Sequence, residues 1–300
     1  MPRGILGFGV QPSHPRRADV PTDSRWRAHT RPPTMPAILR ACRAAFFFLT
    51  RLPVGGFPFT EAEWRWAAGW FPFVGLVVGA VMACVWLAAE RAGPLVAATL
   101  ATGAGMLLTG CFHEDGLADT ADALGGVVDR GRVFEILKDS RIGSFAAACL
   151  VVVLLLRIGL LARLAALPST ANATALAVPG LIVLSQGLAR VPPVWLMAAL
   201  PYVTLDDVSK SKVVTGAGSG QAWLATTWMA LALAAGVWWG VVRPIEAVIA
   251  VAAAAAVTAY LGWRFRRRIG GLTGDFLGAV EQCGEVAFLL ALALVRGPAP

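Results

Sequence analysis

The residues of this 300-residue chain that could do chemistry gather in a few short polar segments. The densest reads His113-Glu114-Asp115-Gly116-Leu117-Ala118-Asp119-Thr120-Ala121-Asp122. Asp115, Asp119 and Asp122 fall at i, i+4 and i+7, which on a helix puts three carboxylates on one face. Two such charges about 6 Å apart repel by roughly 3 kcal/mol at an effective dielectric near 20, so a partly desolvated trio calls for a cation. Hard carboxylate donors without a His or Cys cluster suit Mg²⁺ or Mn²⁺, and Mg²⁺ commonly binds a few carboxylates together with substrate phosphate oxygens. The spacing therefore points to phosphate chemistry, with Asp115, Asp119 and Asp122 as metal ligands. The plainer alternative is a solvated acidic helix face. His113, two residues before the first carboxylate, is either a hydrogen-bonded structural residue or the base that takes a proton from an attacking hydroxyl.

Two further segments extend this chemistry. Lys138-Asp139-Ser140-Arg141-Ile142-Gly143-Ser144 offers Lys138 and Arg141 to neutralise phosphate charge, the planar guanidinium being suited to bidentate contact. The same residues also fit basic anchoring at a membrane face and an Asp or Ser cap for the helix that follows. Arg268-Ile269-Gly270-Gly271-Leu272-Thr273-Gly274-Asp275 carries glycines, Gly271 and Gly274 among them, that permit close backbone approach to an anion. Asp275 enters the last apolar run as a further ligand or as a helix cap.

The elements that must position these segments are membrane helices. Hydrophobic residues make up 57% of the chain and charged residues 15%, with a mean hydropathy of +0.67. That composition excludes a soluble globular domain. Runs of about twenty apolar residues match a roughly 30 Å hydrocarbon core. They fall near Ala67 to Ala89, Pro94 to Phe112, Ser144 to Ala166, Ala173 to Leu200, Ala222 to Val242, Ile245 to Trp263 and Phe276 to Val295. Ile38 to Val54, interrupted by Arg40, Arg43 and Arg51, reads as an interfacial or re-entrant helix. The expected fold is an all-α, polytopic transmembrane bundle of about seven spans plus that N-terminal helix.

The formal charge of +8 does not mark a nucleic-acid binder, because the basic residues sit between the spans and form no stripe interleaved with aromatics. Through seven crossings the segments 112–143, 201–221 and 264–275 share one face, which also carries most of the Lys and Arg, including Lys210 and Lys212. The positive-inside rule makes that face cytoplasmic and the protein a multi-pass resident of the cell's inner membrane. Residues 1–34, rich in Pro and Arg, are expected to be a disordered, dispensable extension, with Met35 opening the catalytic membrane domain of residues 35–300. Cys42, Cys84, Cys111, Cys149 and Cys283 form no CxxC pair and read as reduced packing residues. Within the spans, Arg157 and Arg190 must point inward or snorkel, and Glu281 and Glu285 either face a cavity or pair with an Arg.

From about Ala44 to Val295 the chain resembles the cobalamin synthases, the adenosylcobinamide-GDP ribazoletransferases. The resemblance rests on FLTRLPV at Phe48–Val54, HEDGLADTAD at His113–Asp122, KDSRIG at Lys138–Gly143 and GGLTGD at Gly270–Asp275, in that order. Cys111 stands where the family usually has a second Gly, Glu114 replaces a usually apolar residue, and the segment after the fourth span does not match closely. The resemblance implies a multi-pass, Mg²⁺-dependent enzyme that attacks adenosylcobinamide-GDP with α-ribazole or its 5′-phosphate and releases GMP. It implies metal at Asp115, Asp119 and Asp122, deprotonation by His113, charge neutralisation by Lys138 and Arg141, and supporting roles for Asp139, Gly271, Gly274 and Asp275. Oligomeric state does not follow from it. The DGLA tetrapeptide also resembles the metal motif of the CDP-alcohol phosphotransferases, but Asp119 occupies that motif's Arg position. A cation-coupled transporter is a third reading, opposed by acids that cluster at one surface instead of the midplane.

Overall fold

The structure is a computed structural model that describes residues 37–126, 129–167, 177–203 and 216–297. The 1–34 extension, Lys210 and Lys212 lie outside the described residues. The described residues form the expected all-α bundle. In chain order the helices are α1 (Ala37–Leu49), α2 (Glu61–Ala67), α3 (Phe71–Ala89), α4 (Pro94–Thr109), α5 (Phe112–Gly125), α6 (Arg130–Leu137), α7 (Ser144–Ala166), α8 (Ala177–Ala189), α9 (Val191–Ala199), α10 (Ser219–Trp238), α11 (Pro244–Ile269) and α12 (Gly274–Arg296).

Among the described residues, five segments are long and apolar enough to cross a membrane: Glu61–Ala92, α7, Ala177–Ala199, α11 and α12. The pair α4 and α5 adds a sixth only if it counts as one span, and it is bent by 90°. Of the seven expected spans, the run Pro94 to Phe112 enters only through this bent pair, and the run Ala222 to Val242 lies outside the set. Its helix, α10, is 20 residues long, but Gln221, Thr226 and Thr227 leave it less apolar than the five. Helix α1 has 13 residues, about 20 Å, too short to cross. It buries Ala41, Ala44, Ala45 and Leu49 and exposes Ile38, Leu39 and Phe47.

Local chemistry fixes the ends of these helices. Thr60 and Glu63 form a reciprocal capping box that starts α2, and Arg40 of α1 donates to Glu63 at 2.6 Å. At the other end of the chain, the Arg243 backbone N–H and Arg296 Nη2 both donate to Glu246 Oε2, tying the start of α11 to the end of α12. The α4–α5 corner is made by two successive left-handed residues, Gly110 at φ 70° and Cys111 at φ 58°. Only glycine adopts that region without a steric penalty, so Cys111 holds a strained conformation of about 1 kcal/mol. Because α5 leaves α4 at a right angle, its acidic sequence does not continue the line of α4.

Small residues then let the helices approach closely. A Cβ on Gly75 would stand 2.8 Å from Arg190 Cδ, and one on Gly79 would stand 2.7 Å from Val183 Cα, so α3 packs backbone against backbone on α8. A Cβ on Gly116 of α5 would meet Asp275 O at 2.8 Å, and one on Gly278 of α12 would meet His113 O at 3.1 Å. The Gly116–Gly278 crossing is what carries the acidic helix onto the start of α12.

Candidate active site

Two cavities flank α5. The inner one, about 130 Å³, is bounded by His113, Asp115 and Gly116 of α5, by Gly274, Asp275 and Glu281 of α12, and by Arg190. Phe48, Phe71 and Phe112 complete its wall. Phe48 stacks on Phe71 at 5.8 Å and meets Phe112 edge-on at 5.2 Å. The outer cavity, about 250 Å³, is bounded by Asp115, Asp119 and Asp122 on one side and by Ser140 and Arg141 on the other. Asp115 borders both.

The helix therefore does present its three carboxylates to one cavity, as the i, i+4, i+7 spacing predicts. Their engagements differ. Asp115 is exposed and Asp119 half-buried. Burial, reinforced by the neighbouring carboxylates of Asp115, Asp275 and Asp122, pushes the Asp119 carboxyl up to about 6. Asp122 accepts the backbone N–H groups of Gly143 at 2.6 Å and Ala146 at 2.9 Å, so it closes the N-terminus of α7. Gly143 makes this possible, since a Cβ there would stand 2.5 Å from Asp122 Oδ1.

Among the described residues no group of three His, Cys, Asp or Glu side chains is arranged to hold a metal ion by itself. The donor set nonetheless fits Mg²⁺, which uses one or two carboxylates and completes its shell with water and phosphate oxygens. Asp119 with its raised affinity for protons, exposed Asp115 and cavity-facing Asp275 are the carboxylates whose repulsion a cation would relieve.

The remaining predicted residues divide. Asp139 and Arg141 bind each other in a fork, with Arg141 Nη2 donating to Asp139 Oδ2 at 2.6 Å, and the Arg141 side chain is 87% exposed. Hydrogen bonds from Arg141 hold the Asp139 carboxyl down at about 2. Lys138 follows α6 directly and is exposed. Gly271 faces away from either cavity. Its missing Cβ is taken up by the Pro201 carbonyl and Val203, in a short parallel pairing where Leu272 N donates to Pro201 O and Val203 N donates to Leu272 O. Its expected role in approaching an anion gives way to a structural one, while Gly274 does line the inner cavity. Thr273, not Asp275, caps α12.

Behind the inner cavity lies a buried charge cluster that the sequence left open. Arg157 of α7 reaches Glu114 at 3.3 Å and Glu285 at 3.0 Å and donates to Gln282. Gln186 of α8 donates to Glu285 at 2.7 Å. Arg190 reaches Glu281 at 3.0 Å, and His113 Nδ1 stands 3.9 Å from the same carboxylate. Glu281 thus both faces the cavity and pairs with an Arg, whereas Glu285 only pairs. Their spacing signalled one helix face, but nothing in the sequence said which arginine each would meet.

A model of the cobalamin-5-phosphate synthase family matches residues 41–293. The chain is 39% identical over 270 residues to the adenosylcobinamide-GDP ribazoletransferase of a Polaromonas species, covering 82% of this chain and 94% of that one. It is likewise 39% identical to the proteins of the same name from Albidiferax ferrireducens, over 82% of this chain and 95% of that one, and Polaromonas naphthalenivorans, over the same shares. No solved structure matches the chain.

Proposed function

The chain belongs to the cobalamin-5-phosphate synthase family, and we propose from this that it catalyses the ribazole transfer for which its relatives are named. It joins the cobinamide phosphate of adenosylcobinamide-GDP to α-ribazole, or to α-ribazole 5′-phosphate, and releases GMP. The observation that carries this reading is the acidic helix α5, set between two cavities at the head of an apolar bundle, with His113 and Asp115 in the wall of one and Asp115, Asp119 and Arg141 in the wall of the other.

The reaction moves one phosphoryl group between two oxygens. The ribazole hydroxyl oxygen bonds to the phosphorus on the cobinamide side, the bond from that phosphorus to the bridging oxygen breaks, and GMP leaves with the bridge. His113, in the wall of the inner cavity, would receive the hydroxyl proton. Asp115 and Asp119 would hold Mg²⁺, with Asp275 facing them from α12 and Asp122 committed chiefly to the start of α7. Bound there, Mg²⁺ would neutralise the diphosphate. Arg141, oriented by Asp139, stands at the outer rim where an incoming polyanion is first met, and exposed Lys138, three residues before it, would add to that charge. Arg264, Arg266, Arg267 and Arg268, in and beside the last turn of α11, favour a cytoplasmic rim in the inner membrane.

The test is direct. Purified protein in proteoliposomes should release GMP from adenosylcobinamide-GDP only when α-ribazole and Mg²⁺ are present, stop when EDTA is added, and form no CMP from CDP-diacylglycerol and an alcohol. CMP formation without GMP formation would transfer the chain's chemistry to lipid synthesis.

A further inference from the structure

Arg190 is 2% exposed, in a segment apolar enough to span a membrane. A guanidinium in such a place is costly unless it is paired or used. It is only half accounted for. Among the described residues, Nη1 donates to Gln186 O at 2.7 Å and Gln186 Oε1 at 3.0 Å and pairs with Glu281 Oε1 at 3.0 Å, while buried Nε has no partner. An arginine carries five N–H donors in a fixed fork, so one edge is anchored and the other remains to be used.

Arg190 lines the inner cavity, and its surroundings fix the side chain there. The chain breaks its helix at this residue. Arg190 is the last residue before α9, whose first turn contains Pro192 and Pro193, and prolines in a first turn start a new helix without needing N–H partners. Gly75 of α3 leaves the space its stem occupies, and Gln186 and Glu281 grip the anchored nitrogen from α8 and α12. The titratable groups facing the same space are His113, Asp115, Asp275 and Glu281, which makes Arg190 the lone guanidinium or ammonium among the described residues that line the cavity.

Size narrows the ligand. At about 30 Å³ per water, a cavity of about 130 Å³ holds about four waters, enough for a phosphoryl group and too small for a nucleobase with its ribose or for a corrin ring.

Resting on the function proposed above, we propose that Arg190 is the phosphoryl-binding residue of the inner cavity, meeting the diphosphate from inside the bundle with its unpaired edge, and that Glu281 and Gln186 are the positioning residues that aim it. Lys138 and Arg141 then serve the outer rim, and charge that develops on the phosphoryl oxygens is answered by Arg190. Asp115 and Asp275 share this space and would hold a cation that partly balances the charge of the anion.

The experiment compares the parent with Arg190→Lys and with the charge-balanced double variant Arg190→Met/Glu281→Gln, in proteoliposomes, with melting temperature as the folding control. kcat and KM are measured separately for adenosylcobinamide-GDP and α-ribazole, and binding of adenosylcobinamide-GDP is measured without α-ribazole. The double variant should lose about 100-fold in kcat/KM for the nucleotide substrate, the scale of removing one preorganised charged donor. Arg190→Lys, which keeps the charge and loses the fork, should lose about tenfold. In both, KM for α-ribazole should stay within about twofold and binding of the nucleotide substrate should weaken. Parental kcat/KM in either folded variant, or a rise in KM for α-ribazole as large as that for the nucleotide substrate, overturns the assignment. A parent protein that releases no GMP fails the proposed function instead, and the binding measurement then decides Arg190 alone.

Discussion

Asp119 sits where its own ionisation is unfavourable. Burial and three neighbouring carboxylates raise its carboxyl to about 6, well above the ordinary 3.8, so the folded protein binds a proton there more tightly than the unfolded chain does. The sign follows. The stability contributed by that proton is full below about pH 4 and is lost as pH rises through about 6. In EDTA the melting temperature should therefore fall between pH 5 and pH 7.5, and Asp119→Asn should flatten that slope and raise the midpoint at pH 7.5. The same substitution should abolish GMP release, because the repulsion it removes is what a cation would relieve. A variant both destabilised and fully active would refute the role of Asp119 on both counts. A residue that costs stability to keep in place is a common mark of a functional site.

At the scale of elements, the corner between α4 and α5 decides whether the acidic helix runs on into the bilayer or across it. Cys111 occupies the left-handed region at φ 58°, where the resembled family usually carries Gly. Cys111→Gly should stabilise the protein by about 1 kcal/mol, read as a rise in melting temperature with kcat unchanged; a fall in stability would show that the thiol contributes more than the backbone strain costs. The helices themselves were legible from periods, lengths and apolar runs. The corner was not, because GC between two apolar or amphipathic stretches carries no angle, and a span ending at Phe112 was the natural reading. Gly116 was legible as small but not as the crossing point with Gly278, since its partner lies more than 160 positions away. The placement of Asp115, Asp119 and Asp122 along one side of α5 followed from spacing alone. That Asp122 would be engaged by Gly143 and Ala146 did not, because only the fold brings the start of α7 to it.

For the whole molecule, sidedness is the property that composition addresses and geometry leaves to experiment. Cys111 is exposed at the rim of the outer cavity, whereas Cys42, Cys149 and Cys283 are at least partly buried and Cys84 is exposed on α3. In a variant that keeps Cys111 as its one cysteine, a membrane-impermeant maleimide should label inverted membrane vesicles, whose cytoplasmic face is outward, at least about tenfold faster than intact spheroplasts. This is the behaviour expected of a cytoplasmic rim under the positive-inside rule. Faster labelling of spheroplasts would reverse the orientation. The buried Arg and Glu residues were recognisable in sequence as groups that must face inward, yet their pairing across α5, α7, α8 and α12 is a product of assembly.

The inner cavity has a consequence for what this scaffold can be made to build. On the binding proposed above, a chamber of about 130 Å³ would gauge its guest at the bridging atoms and leave the bulky ends of both reactants outside it. Discrimination between alternative bases or side arms must then arise at the rim, on residues that can change without disturbing the bundle. Diversification of such a transferase is therefore a matter of editing its doorway, with the room behind it left as it is.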